Sequence, residues 1–103
     1  MEKVCVFLAD GFEEGEALIP VGLLRRAGAE VTTASISTSL CVQGSHGITV
    51  TADALAENVP LEEYGMVVLP GGLRGTQNLS QSALVKRAVL AFARQGKWVA
   101  AIC

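Results

Sequence analysis

Three short apolar runs decide what this chain can fold into. "KVCVFLA" (3–9) closes on Asp10-Gly11, "MVVL" (66–69) closes on Pro70-Gly71-Gly72, and "WVAAI" (98–102) closes on Cys103. Each is dense in apolar side chains, short, and two of the three stop at turn residues, which is the pattern of a strand buried on both faces. Such strands need cover on two sides, and the intervening segments supply it. "EALIPVGLLRRAG" sets Leu18, Ile19, Val21, Leu23 and Leu24 ahead of Arg25, Arg26 and Gly28, a helix ending in cations and a C-terminal glycine. Pro20 restricts where that helix begins, because proline is tolerated near the first turn. "SQSALVKRAVLAFARQGK" keeps helical spacing at 84, 85, 88, 89 and 92, with serines for a cap and Gly96 as the stop. "EVTTASIS" predicts a second strand, and "CVQGSHGITVTAD", centred on Gly44, Ser45 and Gly47, a hairpin or two short edge strands.

Strands alternating with helices imply right-handed crossovers and a parallel sheet. The expected fold is therefore a doubly wound, flavodoxin-like α/β sheet with a small antiparallel hairpin around residues 36–51. The 103 residues, half of them apolar, suffice for one domain and not for two. Eight basic and ten acidic side chains, net charge −2, form no basic stripe, which argues against nucleic acid and anionic membrane as partners. With no bilayer-length apolar run and no leader pattern, a cytoplasmic address is the default. Cys5, Cys41 and Cys103 form neither C-x-x-C nor a zinc pattern, in keeping with a reducing compartment. A parallel strand at 98–102 ordinarily feeds a helix that covers the sheet. Residues 1–103 are accordingly expected to be the N-terminal part of a single domain whose C-terminal part lies outside this chain.

Ligands of open parallel sheets bind beyond the carboxyl ends of the strands. Three segments arrive there: "DGFEEGE" with Asp10, Glu13, Glu14 and Glu16, then "PGG", then Cys103. Taken singly each is unremarkable, since acids at a helix start are usually solvated, Pro-Gly marks turns, and buried thiols pack as small hydrophobes. Their convergence points to chemistry. A cysteine at a strand-to-helix turn exposes its sulfur above a helix N-terminus, which favours thiolate. Two neighbouring glycines let backbone N–H groups approach an oxyanion or an oxidised sulfur. A partly buried carboxyl group from the first helix, held protonated, would donate to the thiolate.

The stretches "FLADGFEEGEALIPVGLLRRAGAEVTTASI", "VQGSHGITVTAD", "VVLPGGLRGTQNLSQSALVK" and "AAIC" resemble, in order and separation, the ThiJ/PfpI superfamily, in the branch of the parkinsonism-associated and YajL-like proteins. The resemblance implies that Cys103 is the reactive elbow cysteine. Glu16 takes the place of the protonated glutamate that hydrogen-bonds the sulfur, and Gly71 and Gly72 take the place of the adjacent backbone amides. Glu13 and Glu14 match only the surrounding pattern and are expected to be solvated or capping. Arg25 and Arg26 lie on a helix that borders a homodimer interface in this family, with a local role as C-terminal dipole partners. His46, the only histidine, sits where relatives often carry arginine, and the family's catalytic histidine lies beyond residue 103. Cys5 is expected to be inert inside its strand, and Cys41, on the hairpin, to be packed, with an exposed and oxidisable thiol as the alternative.

The implied function is a cysteine-dependent glyoxalase or deglycase acting on methylglyoxal or its adducts, without cofactor or metal. Two alternatives share the constellation. One is a redox-sensing or chaperone-like stress protein working through oxidation of Cys103. The other is a PfpI-type cysteine peptidase, which requires a histidine directly after the elbow. The implied partners are a small reactive carbonyl, a second copy of the chain, and a companion C-terminal segment of the same protein.

Overall fold

At the centre of the molecule runs β1 (Lys3–Leu8), with parallel neighbours on both sides. β2 (Glu30–Ser35) pairs with it from Lys3↔Glu30 to Leu8↔Ser35. Two short strands, β3 (Cys41–Gln43) and β4 (Thr49–Thr51), form a separate antiparallel ribbon, and β5 (Ala54–Leu55) adds outside β2. β6 (Met66–Leu69) pairs with the other side of β1 from Val4↔Met66 to Val6↔Val68, and β7 (Trp98–Ala101) adds outside β6. The order is β5-β2-β1-β6-β7, all parallel, so the expected flavodoxin-like sheet and its antiparallel excursion are both present. The computed structural model describes residues 2–103.

Alternation along β1 divides the core in two. Cys5 and Phe7, with Val67, face the side that also holds Leu79, Val85, Ala88 and Phe92. Val4, Val6 and Leu8, with Val31 and Val68, face Phe12, Ala17, Val21 and Val42. Cys5, Val6 and Phe7 are fully enclosed, and each such apolar side chain contributes roughly 1.5–3 kcal/mol relative to leaving it exposed. Both faces of β1 are therefore covered, which is what its unbroken apolar run required.

The first helix, α1 (Glu14–Arg26), opens with a Glu13 cap whose Oε1 accepts the Gly15 N–H at 2.9 Å. Pro20 does not mark its beginning. It lies in the helix interior, where the ring removes the N–H that would bond the Glu16 carbonyl. Buried Ala17 and Val21 bracket the proline and hold the helix against the sheet, and such packing supplies more of a helix's stability than local propensity does.

A second helix, α2 (Leu73–Ser80), has no counterpart among the expected elements, whereas α3 (Ala83–Arg94) falls where the apolar spacing puts it. Ser82 caps α3 by accepting the Val85 N–H at 3.2 Å. The strand at 98–102 departs from expectation in burial. Trp98 is 69% exposed and Val99 and Ile102 are exposed with it, because β7 is the outer strand and nothing among the described residues packs on its far edge. No helix among the described residues is long and apolar enough to cross a membrane.

Candidate active site

The carboxyl ends of β1, β6 and β7 meet as the fold requires, and glycines let them do so. The Glu13 N–H donates to the Gly71 carbonyl at 2.9 Å and the Gly75 N–H to the Gly11 carbonyl at 3.2 Å, fastening the start of α1 to the turns around α2. Gly72 holds φ +99°, and a Cβ there would strike the Gly11 carbonyl and the Glu13 nitrogen, so no other residue fits. On the last strand, the Ile102 N–H donates to the Leu69 carbonyl at 3.2 Å and sets Cys103 beside Gly71.

Gly71 is where the predicted residues come together. A Cβ on it would collide with Oε1 of Glu16, with Cβ of Cys103 and with the Ile102 carbonyl. Its N–H donates to Oε1 of Glu16 at 3.0 Å, so this amide is committed to the carboxylate. The Gly72 N–H has no acceptor among the described residues. Cys103 is exposed and adopts φ +64°, a left-handed conformation uncommon for a non-glycine residue. The sulfur-bearing residue also lines an apolar groove of about 510 Å3 bounded by Leu69, Val85, Val89 and Ile102.

The other acids divide. Glu13 caps, as expected. Glu14 is not solvated: it is buried, and Oε2 accepts the N–H groups of His46 and Ile48 at 2.8 and 3.3 Å. Its Oε1 meets Nδ1 of His46 at 2.8 Å, with the Ser45 hydroxyl donating at 3.4 Å. Burial opposes ionisation of Glu14, but the hydrogen bonds from the His46 ring and the backbone outweigh it and bring the carboxyl down to about 2. The bond from Glu14, then the charges of Glu14 and Glu13, raise His46 above its ordinary value. A cluster of two carboxylates and an imidazole thus stands at the start of α1. Arg25 does more than sit at a helix end, since its guanidinium donates to Asp53 Oδ2 and to the Val31 carbonyl, both at 2.7 Å. Cys41, expected to be packed, is exposed on its two-stranded ribbon, while Cys5 is buried as expected and its thiol is pushed up to about 12.

A parallel sheet covered on both faces, with Cys103, Glu16 and Gly71 meeting at its carboxyl rim, defines a class of α/β proteins. The chain belongs to the DJ-1/PfpI family, whose model matches residues 2–103. It is 40% identical to the Parkinson disease protein 7 homolog of Danio rerio over 99% of this chain and 54% of that protein. A deglycase of Pyrococcus abyssi is 36% identical over 98% of this chain and 60% of the relative. The glutathione-independent glyoxalase DJ-1 of Schizosaccharomyces pombe is 29% identical over the whole chain and 58% of that protein. Oxidised DJ-1 of Toxoplasma gondii superposes with a TM-score of 0.96 at 40% identity, covering all of this chain and 56% of the other. The chain spans little more than half the length of these relatives.

Proposed function

We propose that this chain carries the nucleophilic half of a glyoxalase- or deglycase-type site acting on methylglyoxal or its adducts. The observation that carries this reading is the meeting of Glu16, Cys103 and the Gly71 backbone around one missing Cβ. The names of the Pyrococcus and Schizosaccharomyces relatives support the reaction class. Cys103 thiolate attacks the aldehyde carbon of methylglyoxal, forming a C–S bond as the carbonyl electron pair moves onto oxygen. The Gly72 N–H, and that of Gly71 once Glu16 releases it, stabilise the oxyanion, and Glu16 delivers the proton that completes a hemithioacetal. Transfer of the aldehyde hydrogen as a proton to the neighbouring ketone carbon, with the hemithioacetal hydroxyl proton passing to the ketone oxygen, then gives a lactoyl thioester, which water cleaves to lactate and free thiol. No cofactor enters this sequence. The test is lactate formation from methylglyoxal by the protein and by its Cys103→Ser variant; undiminished turnover in the variant overturns the reading.

A second reading, oxidation of Cys103 to sulfinate in a redox-sensing or chaperone-like role, is favoured by the oxidised state of the Toxoplasma relative. Peroxide treatment that adds two oxygens at Cys103, in a protein without turnover, selects it. Exposed Ile19 and Leu23, one turn apart on α1, suit a homodimer face, and the exposed β7 edge and apolar groove suit a companion C-terminal segment. Three unpaired thiols fit a cytoplasmic address.

A further inference from the structure

The cluster at the start of α1 has the donor set and spacing of a cation site. Nδ1 of His46 lies 2.8 Å from Oε1 of Glu14 and 3.8 Å from Oε2 of Glu13, and one ligand atom from each residue falls within 4.8 Å of the others. Ligands bound tetrahedrally at about 2.0–2.1 Å stand roughly 3.3 Å apart, and the two spacings from Nδ1, 2.8 and 3.8 Å, lie on either side of that value. The backbone holds both carboxylates in the needed orientation. Glu13 commits Oε1 to the Gly15 N–H and leaves Oε2 toward the ring, while Glu14 commits Oε2 to the N–H groups of His46 and Ile48 and leaves Oε1 toward the ring. Hydrogen bonds of this kind orient the ligands of established metal centres. Once coordination has displaced the ring proton, two carboxylates and a neutral imidazole carry charge −2, which a divalent cation balances. His46 is 66% exposed in its side chain, so an ion can enter and keep water on its open side.

We propose that Glu13 Oε2, Glu14 Oε1 and His46 Nδ1 bind one zinc-class divalent cation, tying the β3–β4 ribbon to the first turn of α1. The ion takes the place of the hydrogen bond between the ring and Glu14, so binding expels the proton on Nδ1 to solvent. Coordination is separable from mere charge pairing. Arginine at position 46 keeps a cation facing the two glutamates and has no lone pair to offer a metal. Glutamine at position 13 keeps the carbonyl oxygen that caps Gly15 and loses the anionic ligand.

The experiment is calorimetric titration of the protein with Zn2+ at neutral pH in a Cys41→Ser, Cys103→Ser background, which removes the exposed thiols as competing ligands. The expected result is one zinc per chain, heats that change with buffer ionisation as a proton is released, and affinity at least roughly tenfold weaker in both His46→Arg and Glu13→Gln. Equal zinc affinity in the parent and the variants, or no saturable uptake by the parent, overturns the proposal. Circular dichroism verifies the fold of each variant, and Glu13→Gln decides the matter if His46→Arg does not fold.

Discussion

Gly71 gives its N–H to Oε1 of Glu16 at 3.0 Å, and a Cβ on it would strike both that oxygen and the Cβ of Cys103. Adding one methyl group there forces the acid, the cysteine or both to move. Gly71→Ala is therefore expected to slow alkylation of Cys103 and to destabilise the protein by about 1–3 kcal/mol, the usual cost of overpacking. Rate measurements with iodoacetamide, beside a urea unfolding curve, test both halves, and an unchanged alkylation rate contradicts the geometry.

Glu16→Gln preserves an oxygen to accept the Gly71 N–H and removes the exchangeable acid. Turnover of methylglyoxal is expected to fall by roughly 10²–10⁴ while the thermal midpoint stays where it was. A fall in the midpoint as large as that in activity would instead assign Glu16 a structural role.

The three thiols differ in reach. Cys5 is enclosed in β1 with its thiol raised to about 12, whereas Cys41 and Cys103 are exposed. Brief treatment of the native protein with a thiol reagent, followed by peptide mapping, should find label on Cys41 and Cys103 and none on Cys5 until denaturant is added. Label on Cys5 at the native rate would show that β1 opens readily.

With chelator present, the Glu14–His46 contact has a calculable pH window. Glu14 has its folded value below its ordinary 4.5, so its contribution to stability is present above 4.5 and is lost as pH falls toward about 2. His46 has its folded value above its ordinary 6.5, so its contribution is complete below 6.5 and is lost as pH rises through the raised value. The gap in thermal midpoint between the protein and His46→Ala should be widest between about pH 4.5 and 6.5 and narrow on either side. A gap that does not vary with pH contradicts the ion pair.

How far the residues alone reveal this architecture depends on how locally each piece is specified. β1, β6 and α3 were legible because burial on two faces, or on one helical stripe, writes itself into consecutive side chains. α2 was not, since "LRGTQNLS" contains a glycine and buries only Gly75 and Leu79, leaving no apolar stripe to read. Pro20 misled because the contacts of Ala17 and Val21, which keep α1 whole across it, are tertiary. The arrival of Cys103 and Gly71 together followed from strand ends converging at one rim of a parallel sheet, while the choice of Glu16 among the neighbouring acids came from the family resemblance. Burial of Glu14 did not follow, because its partners lie some 32 residues away on a ribbon whose docking no local pattern records.

The central position of β1 also dictates an order of events. β1 has partners on both edges, yet β2 and especially β6 are synthesised well after it. Until residues 66–69 emerge, one full side of the most apolar segment has no native mate, and parallel pairings of this separation close slowly. The nascent protein is thus most vulnerable to mispairing between the synthesis of β1 and that of β6, when a holdase covering "VCVFL" would do the most good.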